Sequence, residues 1–144
     1  MQAIREEGLR AGFPLSPLRA ERLDFGLDDL HDVRSLVANG AAAGGLDPAR
    51  VSDLAAAASE LAANSILHGG GRGLATVWVD GESVFVEVAD AGTIVDPMVG
   101  QVRPDPGAEF GRGLYIANQL CDEVSIDSTV TGTRIRLRMA TAAG

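Results

Sequence analysis

The chain contains no lysine: all 12 of its basic residues are arginines. Chemistry that hinges on a lysine amine is thereby excluded, including the P-loop lysine, the strand lysine of protein kinases and a pyridoxal Schiff base. Cys121 is the only cysteine, which excludes an intrachain disulfide and a multi-cysteine metal site and fits a reducing compartment. Its position among apolar residues makes it read as a buried thiol. Positive charge is scarce. With a formal net charge of -8 and a pI near 4.6, the chain would repel a phosphate backbone, so no direct nucleic-acid partner is expected. The first residues carry Arg5, Glu6, Glu7 and Arg10 without an apolar run. No uncharged stretch reaches bilayer length either, so a cytoplasmic protein without membrane contact is expected.

What is present suits one compact domain. A chain of 144 residues with 46% hydrophobic content can bury a proper core but divides poorly into two. Residues 1–22 mix charge with Gly12, Pro14 and Pro17 and lack periodicity, so they read as a tail or linker preceding a domain over 23–144. From Leu27 to Ala43, Leu30, Val33, Val37 and Ala41 recur at helical spacing before Gly44-Gly45. Asp47-Pro48 then supplies an N-cap and first turn. The face Val51, Leu54, Ala55, Ala58, Leu61, Ala62, Ser65 runs down to Gly69-Gly70-Gly71.

Leu74–Val79 and Val84–Val88 are β-rich runs around Asp80-Gly81 and predict an antiparallel hairpin. Between Ala91 and Phe110, prolines and glycines predict a long loop of the kind that serves as a lid. A short helix over Gly113–Cys121 should follow, then strands near Glu123–Asp127 and Thr133–Met139 around a turn at Thr131-Gly132. The fold class implied is an α/β two-layer sandwich, with helices on one face of an antiparallel or mixed sheet.

Four short patterns carry candidate chemistry. Glu60 and Asn64 lie four apart on the second helix, with His68 one turn on, so one face presents a carboxylate, a carboxamide and an imidazole. The carboxamide can ligate Mg²⁺ without adding charge, and the carboxylate can accept a proton from an attacking hydroxyl. Asp90-Ala91-Gly92 ends a strand, where a carboxylate can accept from an exocyclic amine and a glycine admits a planar base. Gly111-Arg112-Gly113-Leu114 opens the short helix and turns its free amides toward an anion. Thr131-Gly132-Thr133 begins the last strand. Each alone is as well explained by something plainer: a solvated helix stripe, a strand-end turn, a hairpin. His31 likewise reads as a partly exposed helix residue.

Their order is more specific than any member. Glu-x-x-x-Asn on a helix, Asp-x-Gly at a strand end, Gly-x-Gly-Leu closing a loop and Gly-Thr opening the last strand together resemble the GHKL ATPase superfamily. Within it, the chain resembles the anti-sigma-factor serine kinases. The resemblance covers Leu27 to Met139 and implies a Bergerat ATP-binding fold with ATP and Mg²⁺. Ser59 to Gly69 is similar to the N box, which makes Asn64 the metal ligand and Glu60 the catalytic base. Asp90 and Gly92 match the adenine-binding first glycine box, supported by Thr133. Gly111 and Gly113, followed by Leu114, match the second glycine box at the phosphates. Where the family often continues Asp-x-Gly-x-Gly, this chain reads Asp90-Ala91-Gly92-Thr93-Ile94.

The resemblance implies a regulatory serine/threonine protein kinase that phosphorylates a small anti-sigma antagonist and can sequester a sigma factor. It leaves room for a homodimer. Two alternatives stand beside it: an ATP-dependent binding switch without catalysis, and the catalytic domain of a histidine kinase. Against the last, no dimerising helical hairpin with a phosphoacceptor histidine precedes the N box, where His31 is the sole candidate.

Overall fold

A computed structural model describes residues 19–92 and 112–141, Arg112 in its backbone only. Most of the expected tail, the expected lid from Thr93 to Phe110, and Gly111 lie outside these residues. Five strands form one sheet: β1 (Glu21–Phe25), β2 (Gly73–Asp80), β3 (Ser83–Asp90), β4 (Glu123–Thr129) and β5 (Gly132–Ala140). Their order across the sheet is β1-β2-β3-β5-β4 and every neighbouring pair is antiparallel. Strand β1 was not expected from the sequence. ERLDF is short, mostly exposed and starts inside the segment read as a tail, and only its pairing with β2 makes it a strand.

Three helices accompany the sheet: α1 (Leu30–Ala43), preceded by a 3₁₀ turn at Leu27–Asp29, α2 (Pro48–His68) and α3 (Arg112–Leu120). Helix α1 stops where Gly45 turns left-handed at φ 101°, which lets the Leu46 amide donate to the Ala41 carbonyl. Helix α2 starts where the Asp47 side chain accepts from the Arg50 amide at 2.9 Å, with Pro48 in the first turn. The β2–β3 turn needs its glycine: Gly81 has φ 65° and no other residue type has a positive φ among the described residues, as in a two-residue hairpin with glycine first.

Strand alternation separates the two faces. Val84, Val86 and Val88 of β3, and Ile135, Leu137 and Met139 of β5, join Leu54, Ala58, Leu61 and Ala62 of α2 in the core. Asp90 and Thr133 have the same parity as these core residues and are cross-strand partners. They therefore end the core face of the sheet, beneath the last turns of α2. The opposite face carries an arginine row on β5. Arg134 pairs with Asp127, Arg136 with Glu87, and Arg138 with Glu123. Arg136 also lies over Trp78, 4.9 Å from the ring centroid, and Trp78 stacks on Phe85 at 5.3 Å.

Candidate functional site

The site is built where the C-terminal half of α2 meets the ends of β3 and β5. Ser65 is polar within the otherwise apolar stripe of α2 and is 1% exposed, so it must find a partner there. That partner is Asp90: the Ser65 hydroxyl donates to Oδ2 at 2.6 Å, and the Gly92 amide donates to Oδ1 at 2.8 Å. Thr133, also buried, donates from Oγ1 to the Gly92 carbonyl at 2.7 Å. Its proton is thereby used, so at the 2.7 Å contact between the two hydroxyls Ser128 must be the donor. A continuous chain of hydrogen bonds thus runs from β4 through β5 and the β3 end to α2.

Close approach makes this junction possible. A Cβ on Gly69 would lie 2.3 to 2.7 Å from the Asp90 carboxyl atoms, and one on Gly92 would lie 2.8 Å from the His68 carbonyl oxygen. The Ala91 amide donates to the Gly69 carbonyl, and the Gly69 amide to that of Ser65. Asp90 is therefore fixed in plane. Its two oxygens each take one donor from the protein, which leaves lone-pair directions for a ligand donor.

One turn back along α2, the first turn of α3 closes in. A Cβ on Gly113 would meet Asn64 Nδ2 at 2.7 Å and the Glu60 carbonyl oxygen at 3.3 Å. The structure thus brings Asn64 and Gly113 together. Both Asn64 and Glu60 are half-buried. The Glu60 carboxylate has no hydrogen-bond or ion-pair partner among the described residues. Leu114 is 1% exposed and packs in the core, anchoring α3 rather than lining a surface. His68 is exposed. Cys121 is no nucleophile: burial, with Asp122 beside it, pushes its thiol up to about 12.

These groups fit a Mg-nucleotide. An acceptor-only carboxylate suits an amine-bearing base, and a glycine-fronted helix start suits phosphate. No group of three His, Cys, Asp or Glu capable of holding a metal occurs among the described residues. Asn64 offers a neutral carboxamide oxygen of the kind that suits Mg²⁺ beside phosphate and water oxygens. Sequence reasoning placed Ser65 and Gly69 within the N box without a role of their own and did not single out Ser128. For Ser65 a signal existed, since a hydroxyl in a buried helix stripe requires a partner.

The profile of the histidine kinase-like ATPase domain matches residues 25–139. No curated protein matches the sequence. Among solved structures, the RsbU and RsbW domains of Rv1364c from Mycobacterium tuberculosis match with a TM-score of 0.63 at 20% identity, over 87% of this chain. This chain spans 33% of that two-domain structure. The Acinetobacter baumannii histidine kinase AdeS matches at 0.52 and 14% identity, covering 87% of this chain and 70% of the other. The catalytic domain of histidine kinase ThkA matches at 0.51 and 16%, covering 84% and 96%. At such identities these likenesses establish a shared fold. Since the family profile runs from the last residue of β1 into β5 and includes every box described above, the chain belongs to the histidine kinase-like ATPase domain family, of the GHKL type.

Proposed function

We propose that this domain binds Mg-ATP and acts as a regulatory serine/threonine protein kinase of the anti-sigma type, with a small antagonist protein as substrate and a sigma factor as a second partner. The observation that carries the reading is the pairing of two environments on α2. Ser65 holds Asp90 as an acceptor for adenine, and one turn away Glu60 stands without a partner among the described residues, beside Asn64 and Gly113. The RsbW domain in the M. tuberculosis structure supports the anti-sigma reading.

In this mechanism Asp90, Gly92 and Thr133 bind and orient the base, and Asn64 would hold Mg²⁺. The α3 N-terminus with Gly111 and Gly113 receives the phosphate charge. Mg²⁺ would neutralise charge on the transferring group. Glu60 takes the proton of the attacking hydroxyl as its oxygen bonds to the γ-phosphorus and the bond to ADP breaks.

The test measures ATP affinity and single-turnover phosphorylation of an antagonist protein encoded beside this gene, for the parent and for Glu60→Gln. Transfer should fall by about a hundredfold or more while ATP affinity stays within about twofold. Transfer at the parent rate would remove Glu60 from the base role. A parent protein that binds ATP yet labels no antagonist would be a binding switch instead.

A further inference from the structure

The boxes name Asp90 as the adenine contact but do not explain what keeps its carboxylate pointing the right way. We propose that Ser65 is a positioning residue that sets base specificity, by locking Asp90 as an acceptor toward the 6-amino group of a purine. The proposal rests on the reading of Asp90 as the adenine contact.

A helical serine commonly returns its hydroxyl to the carbonyl four residues back. Ser65 instead spends its one hydroxyl proton on Asp90 Oδ2, 25 residues along the chain, in a setting only 1% exposed. On the other side, the Gly92 amide can only donate, so Oδ1 must accept. Two donors on opposite oxygens fix the rotation of the carboxylate about its own bond and require acceptor character at both positions. Every remaining lone pair can only accept as well. A ligand edge that offers an amine is therefore matched, and one that offers a carbonyl oxygen meets an acceptor and is rejected.

The supporting shell is built for this. The Gly69 position leaves no room for a Cβ beside the carboxylate. The Ser65 carbonyl accepts the amides of Gly69 and Gly71, so the residue that orients Asp90 also closes α2 next to it. Without the hydroxyl, Asp90 keeps only the Gly92 contact and can turn about it. Binding of any purine triphosphate would persist through its phosphates, while discrimination at position 6 would fade.

The experiment compares ATP with inosine triphosphate, which replaces the 6-amino group by a 6-oxo group, by direct binding in the presence of Mg²⁺. The parent should prefer ATP. Ser65→Ala should lower the ATP-to-ITP preference about tenfold, the scale of one hydrogen bond to a charged group. In an Asp90→Ala background the same Ser65→Ala change should move the ratio less than about twofold, because a residue acting through Asp90 has nothing left to act on. Equal weakening of both nucleotides by Ser65→Ala, with the ratio intact, would overturn the proposal and leave Ser65 a packing residue. A parent protein that binds ATP and ITP equally would instead sink the adenine role of Asp90, and the proposal with it. Ser65→Cys, close in shape but a far weaker donor, gives the same comparison if the alanine variant does not fold.

Discussion

Gly69→Ala isolates the close approach on which the site depends. Gly69 has φ -114°, a value any residue adopts, so alanine costs little in backbone conformation there. The added methyl, however, would sit 2.3 Å from Asp90 Cγ and 2.4 Å from Oδ2, well inside contact distance. Asp90 is short and must swing away, which breaks the bonds from Ser65 and Gly92 together. Losing a hydrogen bond to a charged group and leaving a buried hydroxyl unsatisfied costs about 1–3 kcal/mol. For a domain of this size that lowers Tm by roughly 3–10 °C. Adenine loses its oriented acceptor as well, so ATP affinity should fall about tenfold to a hundredfold. Thermal unfolding without nucleotide and titration with Mg-ATP read the two effects separately. Gly71→Ala is the control. With φ 88° and nothing within 4 Å of its Cβ direction, it carries backbone strain of about 1–2 kcal/mol and should leave ATP affinity nearly unchanged. If Gly69→Ala keeps parent stability and ATP affinity, the tight α2–β3 junction is wrong.

Glu87→Ala should destabilise the fold without touching the site. Glu87 is 8% exposed on the arginine face and holds Arg136 at 2.6 Å, so removing it strips a mostly buried cation of its carboxylate at a cost of about 3 kcal/mol. Urea unfolding should show that loss, with ATP affinity within about twofold. Acid should weaken the α2–β5 contact in a defined direction. Asp122 accepts from the Ala140 amide and from Arg50, each at 2.7 Å, and the amide bond first, then Arg50, holds its carboxyl below the usual range. A group whose folded pKa is depressed stabilises the fold above the unfolded value, and that contribution is lost as pH falls through the folded one. Unfolding free energy measured from pH 6 down to pH 2 should therefore decline less steeply in Asp122→Asn than in the parent. Equal slopes would remove Asp122 from the acid response.

Two faces of one sheet serve separate purposes here. The core face ends in Asp90 and Thr133, where polar groups must be bound because helices cover them. On the other face, three arginines of β5 each meet an acid on β3 or β4. Three of the chain's twelve arginines thus serve cross-strand pairing, where the planar, multi-donor head has an advantage over an ammonium. The pairing of Arg136 with both Glu87 and the Trp78 ring uses that geometry directly.

Local signals in the sequence determined the elements with strong periodicity or punctuation. Asp47-Pro48 fixed the start of α2, the apolar stripe fixed its buried face, Asp80-Gly81 marked the hairpin although the turn itself is one residue on at 81–82, and the alternation Thr133 to Met139 marked the last strand, because capping, helical period and pleat are properties of neighbouring residues. The order of the four boxes likewise announced the family. The tertiary structure alone decided what crosses between elements. Strand β1 exists because β2 offers it an edge, and Leu114 lies in the core because α3 leans on α2. The hydroxyl of Ser65 reaches Asp90 across 25 residues of chain, since the last turn of α2 stops above the end of β3. No spacing rule encodes such a contact; it follows from two elements meeting at a glycine too small to keep them apart.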